Sequence, residues 1–472
     1  MAILRAYVLP HPKLAIPAVG RGQERKISKT LSAFDTVAQE IAYLRPDTII
    51  FITPHNVIYD DYFHISPGEG AKGNCEKFGT RHVKLSLKYD PNFAAVTAFV
   101  SGKYGISAKT LGERKAPLDH GVMVPLWFIN RRYSKFKSMR ISPSRLDGRA
   151  HYKLGQCLSE AAANIGRRTV IVASGNLSRR PDKDGQSKIV KAINAQPGYD
   201  PQDAIEYDNE ILHIFETGAF NRLFSVPKSL REGADECGHA VFTMLAGCLD
   251  RRQVRPEILS YENAFGEGYA VASFTPGPYD ESRNFLEQTE YRQRRLVLKS
   301  RSSEDDYCVL ARRALEYYVL HGHTLPIPVG LPREMLTTRA GAFVSLYVDG
   351  KLRGAAGALG PTTDSVAAEI VKYAVAAGQQ DKRFPPVSED ELPELVYKVD
   401  VIGSPEVVTD ASQLDVTKYG LIVTCDDSWG VVLPNQPGVE TGEQQIAAVR
   451  ERAGVLEDVP VKMERFAVFR HE

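Results

Sequence analysis

Ala6-Tyr7-Val8-Leu9-Pro10-His11 and Ile49-Ile50-Phe51-Ile52-Thr53-Pro54-His55 carry one pattern twice: an apolar run, a proline, then a histidine. A short apolar run stopped by proline reads as a buried strand. Each run therefore delivers one imidazole just past a strand's carboxyl end. Open α/β sheets bind their ligands at that edge. The plain alternative is a pair of unrelated loop histidines. Two matching strand ends, with further histidines and carboxylates downstream, favour a shared metal ion, and the two rings are expected to converge on it.

Working outward, the first part of the chain alternates strands and helices. Strands are expected near 3–9, 47–53, 138–142, 168–173 and 269–274, with helices over 28–44, 149–165, 202–216 and 236–249. That alternation predicts an α/β fold, a mostly parallel sheet with helices on both faces. A polar segment rich in arginine comes next, with Arg292, Arg294 and Arg295, and reads as a solvated helix and linker. The second part opens with a helix from Asp306 to His321. Apolar residues 342–348 then lead into Asp349-Gly350, a hairpin signal. A helix near 365–377 and strands near 396–401 and 420–424 complete a separate α+β domain. The boundaries read as 1–282, a linker over 283–304, and 305–472.

At 472 residues the chain exceeds one ordinary core. Its 59 basic and 58 acidic residues give a formal charge of +1, which offers no bulk attraction to nucleic acid or to an anionic membrane. Pro10, Pro12, Lys13 and Pro17 interrupt any signal-like run, and no stretch is long enough to span a bilayer. The six cysteines are scattered without a CxxC, against a disulfide framework or a cysteine-held iron–sulfur cluster. A reducing cytoplasm is the expected home, and a homo-oligomer is allowed.

Three further segments carry chemistry: Leu118-Asp119-His120-Gly121 ahead of Val124-Pro125-Leu126, Ala173-Ser174-Gly175-Asn176-Leu177-Ser178-Arg179 after an apolar strand, and Ala234-Asp235-Glu236-Cys237-Gly238-His239 opening a helix. With the two early histidines they make residues 1–280 resemble the class III extradiol dioxygenases of the protocatechuate 4,5-dioxygenase large-subunit type, and the related Memo proteins. The resemblance implies Fe(II), or another divalent metal, held by two histidines and one glutamate. Such a facial set leaves one side open for a catecholate and dioxygen. By position, His11 and His55 would be the imidazole ligands and Glu236 the carboxylate, with Asp235, Cys237 and His239 competing; Memo-type proteins have a cysteine near this place. The bland role for Glu236 is a first-turn acid favoured by the helix dipole. His120 would bind substrate or dioxygen; its bland role is a neighbour of a helix cap. In the dioxygenases a histidine serving as acid–base catalyst comes after Ser-Gly-x-Leu-Ser, and here that position is Arg179. A guanidinium is not a base at neutral pH, but it can pair with an anionic substrate. Proton transfer would then fall to His120.

Residues 305–472 resemble the AMMECR-type domain through Leu352-Arg353-Gly354-Ala355-Ala356-Gly357, Asp381-Lys382-Arg383-Phe384-Pro385-Pro386-Val387, Tyr419-Gly420-Leu421-Ile422-Val423 and Gly430-Val431-Val432-Leu433-Pro434. The family's Leu-Arg-Gly-Cys-Ile-Gly has Ala355 at its cysteine position, which removes a thiol role there. The fusion resembles the bacterial and archaeal grouping of AMMECR-type, Memo-type and radical S-adenosylmethionine proteins. Without CxxxCxxC this chain is not the radical enzyme, which becomes an expected partner. The resemblance thus implies a non-haem Fe(II) extradiol ring-cleaving oxidoreductase acting on a catecholic or related aromatic substrate, with a small aromatic or acidic molecule as its partner. Its alternatives are a metal-dependent, non-oxygenase reaction beside a radical enzyme and a Memo-like metal-binding protein without turnover.

Overall fold

The computed structural model describes residues 2–179, 201–426, 428–436, 438–456 and 458–472. The chain divides into two compact units, Met1–Thr289 and Glu290–Glu472.

The first unit is built on β1 (Ile3–Leu9), α1 (Ser28–Leu44), β2 (Thr48–Ile52), α2 (His120–Asn130), β3 (Lys137–Ile141), α3 (Gly148–Asn164), β4 (Thr169–Ser174), α4 (Pro201–Thr217), α5 (His239–Cys248), β5 (Arg252–Ala264) and β6 (Glu267–Tyr279). The sheet order is β3-β2-β4-β1-β6-β5. The first four strands run parallel, while β6 and β5 add an antiparallel edge. Both faces are covered. Ala6, Val8, Ile50, Ile52, Ile171 and Ala173 face one apolar cluster with α3 and α5. Tyr7, Leu9, Ile49, Phe51, Val170 and Val172 face another with α1 and α2. This is why the parallel strands read as unbroken apolar runs.

Register sets the functional edge. Ala173 of β4 pairs with Val8 of β1 on one side and Ile52 of β2 on the other. The carboxyl ends of all three strands are therefore level, and their outgoing loops emerge at one place. Strand β5 was not expected from the sequence, because Arg252, Arg255, Pro256 and Glu257 break up its apolar positions. The helix Pro91–Lys103 likewise had none, since its apolar residues do not gather on one face.

In the second unit an antiparallel sheet takes the order Lys351–Gly357, Ala342–Val348, Val396–Ile402, Lys462–His471, Tyr419–Cys425, Ser428–Val432. Helices Asp306–His321 and Val366–Gln379 share its main core. The Asp349-Gly350 turn has φ of 55° and 70°, the left-handed pair that a two-residue hairpin demands. The expected linker 283–304 is largely a helix, Phe285–Ser302. Among the described residues no helix is long and apolar enough to cross a membrane.

Helices α3 and α5 meet backbone to backbone: a Cβ on Gly155 would lie 2.1 Å from the Met244 carbonyl oxygen. Gly→Ala inside a free helix gains about 0.5–1 kcal/mol, but overpacking costs about 1–3 kcal/mol and wins here. G155A should lower the urea midpoint of the first unit; a midpoint at or above wild type would refute this close contact. The second unit has its own core, so residues 290–472 alone should melt cooperatively by circular dichroism, whereas a non-cooperative melt would show that it depends on the first unit.

Candidate metal centre

His11 lies two residues past β1 and is buried. Its backbone N–H donates to Asn176 Oδ1 at 2.9 Å, and its Nδ1 lies 2.9 Å from Ser174 Oγ at the end of β4. Its Nε2 lies 2.9 Å from Nε2 of His55, which stands just past β2. The two rings thus converge, edge to face, with centroids 4.6 Å apart.

His120 opens α2 behind its cap, Asp119, whose carboxylate accepts the Val122 N–H. The His120 ring stacks on His55 with centroids 4.1 Å apart and stands 5.2 Å from His11. Asp119 also accepts the Thr53 hydroxyl at 2.6 Å, and Thr53 in turn accepts the His55 N–H at 3.3 Å. The buried Arg140 guanidinium stands 3.5 Å from Asp119 and donates to the Ala116 and Pro117 carbonyls and to Ser66. One carboxylate thus anchors the segments that carry two histidines. Burial pushes its pKa up, and the Thr53 hydroxyl and Arg140 pull it back.

The structure brings Cys237, rather than Glu236, to the histidine pair. Cys237 Sγ lies 3.6 Å from His11 Nε2, and the ligand atoms of His11, His55 and Cys237 all fall within 4.8 Å of one another. Glu236 turns the other way and accepts the first N–H of α5, that of His239, at 2.7 Å. Helix α5 starts at His239 and not at residue 236, and no side chain of its N-cap Gly238 serves it, so the Glu236 carboxylate takes that place. His239 is buried, with Nε2 on the Leu223 carbonyl and Nδ1 near Tyr207, away from the pair. Asp235 is engaged by Arg179.

Arg179 is held at the edge of the site. Its Nε donates to the Asp235 carbonyl at 2.9 Å and its Nη2 lies 3.4 Å from the Asp235 carboxylate, leaving the side chain 32% exposed. Its backbone is clamped through Ala234, and the preceding Ser178 is hydrogen-bonded to the buried Asp208. Lys13, which no motif marks although it stands two residues past His11, is exposed with its ammonium over the Phe78 ring, itself 6.0 Å from His120. Glu267, at the start of β6, accepts from Asn176 and Tyr269; nothing in its local sequence marks it.

These surroundings keep the imidazoles neutral. Burial first, then the charges of neighbouring histidines, Arg179 and Lys13, holds His11 well below its ordinary pKa. Burial with Arg179 and Lys13 lowers His55 to about 4. Burial, then His55, Lys13 and Arg179, lowers His120 to about 2. Burial pushes the Cys237 thiol up to about 12 against the pull of Arg179. Away from the pair, burial and Arg231 lower His239 to about 3. In the unfolded chain these imidazoles return to about 6.5, so the unfolded state takes up protons first as pH falls. The metal-free protein should hold its melting temperature above about pH 6.5 and lose it progressively from there towards pH 4. A flat profile over that range would show that the rings are not held neutral.

Residues 5–272 match the family model described as the catalytic LigB subunit of aromatic ring-opening dioxygenase, and residues 308–472 match the AMMECR1 model. A protein of Clostridium acetobutylicum is 34% identical over 488 aligned positions covering 100% of both chains. A protein of Thermotoga maritima is 43% identical over 171 residues, 36% of this chain and 98% of that one. An uncharacterised protein of Pyrococcus horikoshii, known from its crystal structure, is 28% identical with a TM-score of 0.32, covering 36% of this chain and 90% of that one. With more than half of its length matched, the chain belongs to the family of the catalytic LigB subunit of aromatic ring-opening dioxygenases, and it carries an AMMECR1 domain after it.

Proposed function

We propose that the first unit is a Memo-like metal-dependent domain whose ligands are His11, His55 and the Cys237 thiolate, and whose substrate is a small anion. The observation that carries this reading is the position of Cys237 Sγ against the two Nε2 atoms, with the Glu236 carboxylate committed to α5. The donor set fits a metal: two neutral imidazoles and a thiol whose proton a metal displaces. Two imidazoles and a thiolate are softer than two imidazoles and a carboxylate, and suit zinc or copper as well as iron. A metal there supplies Lewis-acid or redox chemistry at a substrate oxygen. The chain's own groups do the rest. Arg179 pairs with the acidic group of the substrate, as a guanidinium does with a carboxylate. Lys13 adds positive charge at the mouth. Neutral His120, beside the pair, offers a hydrogen bond to a substrate hydroxyl rather than a base for its proton.

The second reading is Fe(II)-dependent ring cleavage of a catecholic substrate. The place of His120, stacked on His55, favours it. Arg179 in the place of the acid–base histidine weighs against it, as does a thiol where a carboxylate is expected. On the first reading the domain works without dioxygenase turnover beside a radical S-adenosylmethionine enzyme.

The test is metal analysis of protein purified without air, for wild type, C237S and E236Q, with calorimetry in buffers of different ionisation enthalpy. C237S should lose metal at least about 10-fold in affinity, while E236Q, which keeps an oxygen for the α5 N–H, should retain it. Wild type at pH 7 should release about one proton per metal, from Cys237, because the imidazoles have none to give. Retention by C237S together with loss by E236Q would overturn the ligand assignment. A catechol screen of the iron-loaded protein in air separates the readings: a yellow ring-opened product would decide for cleavage.

A further inference from the structure

We infer that Ser174-Gly175-Asn176 is the device that assembles the metal centre: Ser174 sets the tautomer of His11, Asn176 holds its backbone, and Gly175 admits Cys237. This rests on the metal reading proposed for His11, His55 and Cys237, and it gives the last residue of β4 and the two after it a separate task each.

The tautomer is fixed by counting protons. Ser174 Oγ donates to the Gly121 carbonyl oxygen at 2.6 Å, and a carbonyl can only accept. A serine hydroxyl has one proton, and it is spent there. His11 Nδ1, 2.9 Å from the same Oγ, must therefore be the donor. The proton of His11 sits on Nδ1, and the lone pair sits on Nε2. That is the nitrogen facing His55 Nε2 at 2.9 Å and Cys237 Sγ at 3.6 Å. A metal-binding imidazole is oriented in the same way, by giving its other N–H to a fixed acceptor. His11 and Ser174 are both buried, so water does not compete for this bond.

Asn176 acts on the backbone. Its Oδ1 accepts the His11 N–H at 2.9 Å while its Nδ2 donates to Glu267 Oε2 at 2.9 Å. The two partners leave one orientation for the amide, because the N–H needs an oxygen and the carboxylate needs a donor. Gly175 acts by absence. A Cβ there would lie 2.6 Å from the Gly238 Cα and 2.8 Å from the Phe242 ring. Gly238 is the next residue after Cys237, so this close approach brings the thiol to His11; Cys237 Sγ also lies 3.9 Å from the Asn176 carbonyl. Ser174 and Asn176 are positioning residues and touch no substrate in this scheme.

The test uses the full chain, with Co(II) as the metal probe and ¹⁵N NMR of the metal-free imidazoles. In wild type the His11 proton should be found on Nδ1. In S174A it should shift partly or wholly to Nε2, and Co(II) affinity should fall about 10–100-fold. The thiolate-to-Co(II) charge-transfer band should persist in S174A at saturation, since Cys237 is untouched. In G175A that band should weaken or vanish while Co(II) still binds the two imidazoles. A wild-type His11 proton on Nε2 would overturn the inference, as would S174A matching wild type in both tautomer and affinity. If wild type bound no Co(II), the metal reading and the assembly role would fall together, while the tautomer of His11 would still decide the claim about Ser174. If S174A failed to fold, the wild-type tautomer would decide that claim alone.

Discussion

The level register of β4 between β1 and β2 is the constraint on which the rest depends. Because Ala173 faces both Val8 and Ile52, the three strands end together, and His11, His55 and Ser174 emerge at one edge. The register is strongly specified because both faces are buried. A slip of one residue would turn Tyr7 and Phe51 into the space of Ala6 and Ile50 and exchange the two cores. The site therefore inherits its geometry from apolar packing far larger than itself. The supporting hydrogen bonds of Asp119, Thr53, Ser174 and Asn176 refine a position that the sheet has already chosen.

Charge sets what the edge can do. Neutral imidazoles and a protonated thiol make a poor home for a cation unless the metal displaces the thiol proton. Once it does, a thiolate contributes the same single negative charge as the carboxylate of the ring-opening pattern. The difference is one of softness and of proton count, not of net charge. Arg179 and Lys13 remain as positive groups around that centre. Asp235 holds Arg179 through a carbonyl oxygen at 2.9 Å and a carboxylate at 3.4 Å, and the carboxylates of Glu267 and Glu236 also bear on the guanidinium. That positive charge is what the proposed anionic substrate rests on.

In the AMMECR1 unit the Leu-Arg-Gly segment is held by its neighbours. At the position of the family's cysteine, the Ala355 backbone N–H donates to Asp381 at 2.9 Å, and Asp381 also pairs with Arg383. Arg353 is held by Glu391 in a two-pronged pair and lies against Phe384. These contacts tie the Leu-Arg-Gly segment to the Asp-Lys-Arg-Phe segment through Asp381 and Phe384, and to Glu391 beyond it.

The sequence alone determined the α/β alternation, the Asp349-Gly350 hairpin and the delivery of His11 and His55 to one sheet edge, because each is written in local patterning: apolar runs, proline stops, and the glycine that a left-handed turn needs. The family resemblance, rather than patterning, pointed to His120 and Arg179; in the structure the His120 ring stacks on His55 and Arg179 is held by Asp235. That resemblance put Glu236 first as the third ligand, over Asp235, Cys237 and His239, because position along the chain does not record the direction each side chain takes. Tertiary structure set those directions and put the Cys237 thiol nearest the histidine pair. A helix starting at His239 left its first N–H groups unpaired, Glu236 was spent on one of them, and the close approach of Gly175 to Gly238 carried Cys237 to His11. Strand β5 and the supporting roles of Lys13 and Glu267 were hidden for the same reason: what they do depends on what packs against them, and no spacing along the chain records it.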